Sequence, residues 1–267
     1  MIQKAKSFFI RDFQIEISYR FNFILQAVSG FIFLLIFFYI SEAVLFRDQE
    51  IINKYGESYF LFTSLGIISI NFIMIALFSS SSAIRDGQTL GYLESLISYR
   101  LGIIEIFYFN ILFPLTKGFF IALIHFMLLI LVLNQDISLI NLIDIFILLF
   151  LTILPFVGIG MISASFVLVF KMGNPINILA SALTTFFSGI FFPTQSLPDW
   201  AVSFSKIIPL THGLEAIRLR VSGATYAEIY PEVLILFLHS LLFIFLGSIV
   251  LRFAFNYAKK SGTLGAY

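Results

Sequence analysis

Long apolar runs, each close to the length that crosses a bilayer, and a pair of prolines that end the fifth of them, constrain this chain most. A bilayer core of about 30 Å needs about 20 apolar residues in a helix. Six such runs lie at roughly 22–45, 59–83, 103–133, 139–170, 176–192 and 231–256. They are long and do not alternate, whereas strands of a membrane barrel alternate over segments of about ten residues. Charged residues are 12% of the chain, hydrophobic ones 60%, and the mean hydropathy is +1.01, against roughly a quarter charged in soluble domains. The expected fold is all-α, a polytopic membrane protein with six transmembrane helices and no internal repeat.

The fifth run leads into Ser188-Gly-Ile-Phe-Phe-Pro-Thr-Gln-Ser-Leu-Pro-Asp-Trp200, followed by Ile208-Pro-Leu-Thr-His-Gly-Leu-Glu-Ala-Ile-Arg-Leu-Arg220. Lipid supplies no hydrogen-bond partners, so irregular backbone at membrane depth must be buried in protein or wetted by a cavity. This stretch therefore predicts a special structure at one membrane face.

Residues 4 to 20 place Phe9, Ile10, Phe13 and Ile17 at helical spacing among Lys4, Lys6, Arg11, Asp12, Glu16 and Arg20. An amphipathic interface helix over 1–21 is expected, with a polar lead-in to the first span as the alternative. No small-residue cleavage site follows the first apolar run, which argues against a removable signal peptide. The spans then occupy 22–256, and 257–267 form a tail. Six spans leave both termini on one side. With the N-terminus cytoplasmic, inner segments hold ten Lys and Arg (4, 6, 11, 20, 85, 100, 171, 252, 259, 260) and outer ones five (47, 54, 206, 218, 220). The excess belongs inside, so cytoplasmic termini are expected and the proline-rich stretch falls on the outer face.

The net charge of +1, from 16 basic and 15 acidic residues, leaves no electrostatic footprint for nucleic acid. Zero cysteines remove disulfides, thiolate metal sites and cysteine nucleophiles. No Gly-x-x-x-x-Gly-Lys-[Ser/Thr] phosphate loop is present, so this chain does not cradle ATP in that manner.

Between the second and third spans, residues 84–100 carry Leu90, Leu93, Leu96 and Ile97 on one helical face, with Arg85, Asp86 and Glu94 off it. Such a helix rests on lipid or inserts into a partner's groove. Arg85-Asp86 followed by Gly91-Tyr-Leu-Glu-Ser-Leu-Ile resembles the Arg-Glu…Gly-Thr-Leu-Glu-x-Leu-Leu pattern of ABC exporter permeases of the ABC-2 type. Phe191-Phe192-Pro193…Leu-Pro198-x-Trp200, with Pro209-Leu-Thr-His212…Glu215-Ala-Ile-Arg218, is similar to that family's signature between the fifth and sixth spans. Asp86, Tyr92 and Tyr99 stand where the pattern has Glu, Thr and commonly Pro; the last two bear on the coupling geometry. The resemblance implies that 84–100, through Arg85, Asp86, Gly91, Leu93, Glu94 and Leu96, forms a coupling helix docking on an ATP-hydrolysing subunit. It implies that 193–220 forms short re-entrant helices in the outer leaflet, an exit-side gate carrying Phe192, Pro193, Pro198, Trp200, Pro209, His212, Glu215 and Arg218. It further implies two copies of the ATPase, which would bind ATP and Mg, and a second permease copy, a homodimer being simpler than a heterodimer. A bacterial-type inner membrane is the expected location, and this chain is expected to bind no cofactor or metal and to have no catalytic residue of its own.

Ionisable residues inside spans default to functional hypotheses. Lys117 lies about 14 residues, or roughly 21 Å, into the third span. It either faces the bundle or substrate path near Pro114 and Thr116, or snorkels or bonds carbonyls freed by Pro114; the second account is preferred. Pro114 and Pro155 are candidate kinks. Glu42, Glu105 and Asp144 sit near span ends, where interfacial solvation is expected. His125 and His239 are read as satisfying a neighbour's hydrogen bond. His212, Glu215 and Arg218 share a helical face and are read as a polar cluster that is structural for the re-entrant region. Ser79–Ser82, Gly158 and Gly160 are read as helix-packing sites.

The expected function is the permease of an ATP-driven exporter, moving a lipophilic, amphipathic or glycan-type substrate by alternating access. One Trp and 11 Tyr against 35 Phe tilt the reading towards a lipophilic cargo. The alternatives are a secondary transporter, which needs midplane sites at broken helices and repeat symmetry, and a membrane enzyme using His212 and Glu215 at the outer face.

Overall fold

A computed structural model of the chain describes residues 2–43, 58–91, 101–133 and 137–262. These residues form α1 (Ile2–Ser18), α2 (Arg20–Ala43), α3 (Tyr59–Thr89), α4 (Ile103–Leu131), α5 (Leu139–Phe170), α6 (Pro175–Phe187), a 3₁₀ turn (Thr194–Ser196), α7 (Asp199–Ser205), α8 (Pro209–Val221) and α9 (Tyr226–Lys260). Among the described residues there is no strand, and five helices, α2, α3, α4, α5 and α9, are long and apolar enough to cross a membrane. The protein is a polytopic helical membrane protein.

At the expected fifth span stands a shorter apolar helix. Helix α6 has 13 residues, about 20 Å of rise, short of the roughly 30 Å hydrocarbon core. Residues 189–192 are apolar yet leave the helix. Gly189 takes φ +78°, which glycine adopts without penalty, and the residue before Pro193 is biased away from helical backbone. The break falls earlier than hydropathy alone places it. At the other end of the preceding turn, Lys171 adopts φ 53° and stops α5, and Pro175 opens α6 at a position that lacks an intrahelical partner anyway.

Contacts fix the directions of the helices. Phe38 near the end of α2 meets Phe60 at the start of α3, Gly118 of α4 lies against Phe72 and Ile75 of α3, and Gln88 of α3 reaches the Leu168 carbonyl of α5. Helices α2, α4 and α6 thus run opposite to α3, α5 and α9. One end of the bundle carries Tyr59, Asp144, Trp200 and Tyr226, and the other carries Gln88 and Lys171. Helix α3 is the central element, with 83% of its apolar window buried, whereas α2 has 6% buried and sits at the periphery. Pro114 and Pro155, expected as kinks, lie inside α4 and α5, each assigned as one continuous helix.

The most extensive helix pair is α5 with α9. A Cβ on Gly158 would overlap the backbone of Phe243, and one on Gly247 would overlap the Gly158 carbonyl. The two backbones approach as closely as small residues permit. Gly160 similarly admits Ser80 of α3, and Asn177 of α6 donates to the Leu77 carbonyl and Ser81 hydroxyl, both at 2.8 Å.

Helix α1 packs on α4. Phe8 is buried against Phe109 and Phe9 meets Phe113 edge-on. Arg11 donates to Asn110 Oδ1 at 2.7 Å. The amphipathic pattern thus has a protein partner in addition to any lipid surface.

Candidate functional site

The segment from Ser188 to Val221 is built into the Tyr59 end of the bundle. After α6, the Ser188 hydroxyl donates back to the Thr184 carbonyl, and Tyr59 Oη holds the Phe191 carbonyl at 2.9 Å. Phe192 meets Phe186 edge-on, and buried Pro193 precedes the 3₁₀ turn. Pro198 stands just before α7. Trp200, 67% exposed, touches Phe187 at the bundle surface. The chain then enters the bundle: Pro209 is the first residue of α8, and Gly213 packs so tightly on Thr152 of α5 that a Cβ would overlap its side chain. Thr152 lies 13 residues into α5, about 20 Å from its start. The far end of α8 returns to the surface, where Arg220 meets Asp144 near the start of α5. Helix α8 is therefore wedged between α5, α9 and α3.

Three polar clusters fix this wedge. Arg218 is 3% exposed; its Nη2 donates to the carbonyls of Phe62 at 2.9 Å and Ile190 at 3.3 Å, and the guanidinium stacks 3.3 Å from the Phe62 ring. A planar, multiply donating cation suits such a site. Arg220 Nε donates to Asp144 Oδ2 at 2.6 Å, and Tyr226 Oη donates to the same carboxylate at 3.1 Å. His212 Nε2 donates to the Lys206 carbonyl at 2.8 Å, while Nδ1 lies 2.5 Å from Glu232 Oε2 of α9.

The shared helical face of His212, Glu215 and Arg218 exists, but His212 and Arg218 turn to different partners. His212 reaches α9 and Arg218 reaches α3 and the 188–192 strap, because α8 is enclosed on several sides. Half-buried Glu215 contributes its charge to the field at His212. Asp144 departs from the solvation expected of it: it is 9% exposed and paired with Arg220 and Tyr226. Glu105 instead caps its own helix, accepting from the Gly102 N–H at 3.0 Å, and Glu42 is exposed. Sequence reasoning missed Asp144, Tyr226 and Glu232 as partners, since the Asp144–Arg220, Asp144–Tyr226 and His212–Glu232 pairs join residues at least 20 positions apart.

At the opposite end, α3 continues to Thr89, past the expected limit of its span. Arg85 and Asp86 belong to that helix, and Gly91 follows it with φ +71°. Gln88 is buried, its amide donating to the Leu168 carbonyl at 3.2 Å. Leu93, Glu94 and Leu96 lie outside the described residues.

Lys117 is engaged by another helix. Its ammonium pairs with Glu16 of α1 at 2.7 Å, the side chains being 12% and 22% exposed. The pair borders an apolar cavity of about 460 Å³ between α1, α2 and α4, lined by Phe9, Phe13, Phe113 and Phe120 among others. His125 Nε2 donates to the Ala27 carbonyl of α2 at 3.0 Å, as expected of it. His239 departs from expectation: its Nδ1 is buried with no hydrogen-bond partner, and its ring lies 5.7 Å from that of His212. Among the described residues no group of three or more His, Asp or Glu side chains is arranged to hold a metal ion.

Long apolar helices around a buried, cation-clamped short helix define a polytopic integral membrane protein. The sequence profile of the family described as ABC-2 type transporter matches residues 4–220, and the chain belongs to that family. It is a transmembrane permease of an ABC transporter, a component whose family works with a separate ABC ATPase. No curated protein and no solved structure matches it significantly.

Proposed function

We propose that this permease exports a lipophilic or amphipathic substrate from the cytoplasm or inner leaflet, driven by a separate ATPase acting on residues 84–100. The observation that carries the reading is the span of α3. This 31-residue helix, about 46 Å long, holds Arg85 and Asp86 at one end and, at the other, the Phe62 carbonyl clamped by Arg218 of the re-entrant helix. A displacement at the coupling end is transmitted along a buried rod to the wedge of α8. In physical terms, ATP binding in the partner biases a two-state packing because it binds one state more tightly.

In this reading both termini are cytoplasmic, the membrane is a bacterial-type inner membrane, and residues 188–221 form the exit-side gate. Residues 84–100, the end of α3 and the segment after it with Leu93, Glu94 and Leu96, form the coupling region that docks on the ATPase. Two ATPase copies supply ATP and Mg chemistry, and a second permease copy completes the path. The exposed apolar faces of α2 and α6, with Ile24, Phe33, Ile178, Leu179 and Phe186, are available surfaces for that second copy. The phenylalanine-rich composition, with one Trp, favours lipophilic over glycan cargo.

The test is purification of the tagged chain from its native membranes. ATPase activity should accompany the wild type, and Glu94→Ala combined with Leu93→Ser should uncouple that activity from transport or release the ATPase. Unchanged association and coupling in that variant would refute the assignment of residues 84–100.

A further inference from the structure

The contacts of His212 fix a proton count. The Lys206 carbonyl only accepts, so Nε2 carries a hydrogen. Nδ1 lies within hydrogen-bond reach of a carboxylate oxygen of Glu232, and a bond between these two atoms needs a second hydrogen, since each otherwise offers only a lone pair. At pH 7.5 a free histidine and a free glutamate, with ordinary values of about 6.5 and 4.3, together lack that hydrogen. The folded pair therefore holds one proton more than the same side chains free in water, and the proton resides on the more basic imidazole. Without it, the Nδ1 lone pair would face a carboxylate oxygen, while the bond to Lys206 prevents the ring from turning away.

Burial of the ring opposes its charged form, and the hydrogen bonds to Glu232 and Lys206 together with the charges of Glu232 and Glu215 outweigh it. On α8, Glu215 adds negative charge, while Arg218 is directed to the Phe62 and Ile190 carbonyls. In the segment before α8, Lys206 contributes its carbonyl here and its side chain is exposed. On α9, Glu228 is engaged by Thr225 at the helix start, and His239 presents its ring with an unpartnered Nδ1. From α5 the residue packed on this part of α8 is the uncharged Thr152, and Asp144 is occupied by Arg220.

We propose that His212 and Glu232 form a one-proton binding site that clamps the re-entrant helix α8 to α9, and that release of the proton to water at the Tyr59 end loosens this helix. The ligand is the proton itself: binding leaves imidazolium and carboxylate, and release leaves neutral imidazole, carboxylate and a hydrated proton. The link from a loosened α8 to transport rests on reading residues 188–221 as a gate, but the proton count does not.

The chain has three histidines, so ¹⁵N-histidine NMR of the full chain in lipid nanodiscs resolves them, with His125→Asn, His212→Asn and His239→Asn as assignments. The expected result at pH 7.5 is hydrogen on both ring nitrogens of His212 in the wild type and on Nε2 alone in Glu232→Gln. The glutamine amide donates to Nδ1, so this variant keeps the clamp without the proton. In parallel, the thermal midpoint of the wild type should fall as pH rises from 6.5 to 9, because the folded state binds more protons than the unfolded one, and Glu232→Gln should flatten this dependence. A singly protonated His212 in the wild type at pH 7.5, or the same pH course in both proteins, overturns the proposal. A proton site that titrates as described while transport ignores pH would instead refute the gate reading.

Discussion

At the scale of single residues, the membrane interior makes each charge accountable. Arg218 satisfies two backbone carbonyls and covers the Phe62 ring. Arg218→Met leaves the Ile190 carbonyl without its donor, an unsatisfied buried group costing about 1–3 kcal/mol, and removes the second bond of the Phe62 carbonyl. A marked drop in the detergent-solubilised melting temperature is expected, with Arg218→Lys intermediate, because an ammonium lacks the planar fork. Lys117 and Glu16 form a pair beside an apolar cavity, and removing one partner strands the other. Melting temperatures should therefore show Lys117→Ala and Glu16→Ala each more harmful than the double substitution; additive losses would mean that the two do not interact. The sequence marked Lys117, His212 and Arg218 as unusual, because polar groups in apolar runs stand out. It did not reveal what they bind, since Glu16, Glu232 and the Phe62 carbonyl come from other helices.

At the scale of elements, local sequence was a good guide to starts, stops and packing positions. Ser58 and Ser138 accept from the first turns of α3 and α5, and of the positions read as packing sites Gly158, Gly160, Ser80 and Ser81 do meet neighbouring helices closely. Gly158→Val should force α5 from α9, because its Cβ has no room beside the Phe243 backbone. Overpacking of this kind costs typically 1–3 kcal/mol and more where backbone must move. The expected outcome is loss of a monodisperse peak on size-exclusion chromatography at ordinary expression temperature, with Gly173→Val, which meets open space, as the tolerated control. The fifth span shows the limit of the method. Hydropathy extends it to residue 192, but the backbone at Gly189 and Pro193 ends the helix at Phe187, and hydropathy does not register φ.

At the scale of the whole molecule, orientation is a matter of charge outside the membrane. The chain has no cysteine, so single-cysteine variants need no background substitutions. Cysteine at Trp200 or Ser222 should react with a membrane-impermeant maleimide added to intact cells, and cysteine at Lys259 should react only after permeabilisation. The reverse pattern would invert the proposed topology and move the re-entrant helix to the cytoplasmic face. What the sequence determined by itself was the all-helical membrane class, the family motifs and that a break follows the fifth apolar run, because lipid forces apolar runs into helices and proline and glycine act on their own backbone. What only the tertiary structure decided was that α8 turns back into the bundle, and that Asp144, Glu232 and Glu16 meet Arg220, His212 and Lys117. Those pairings join residues 20 to 101 positions apart, and burial leaves each charge dependent on whichever helix packing brings beside it.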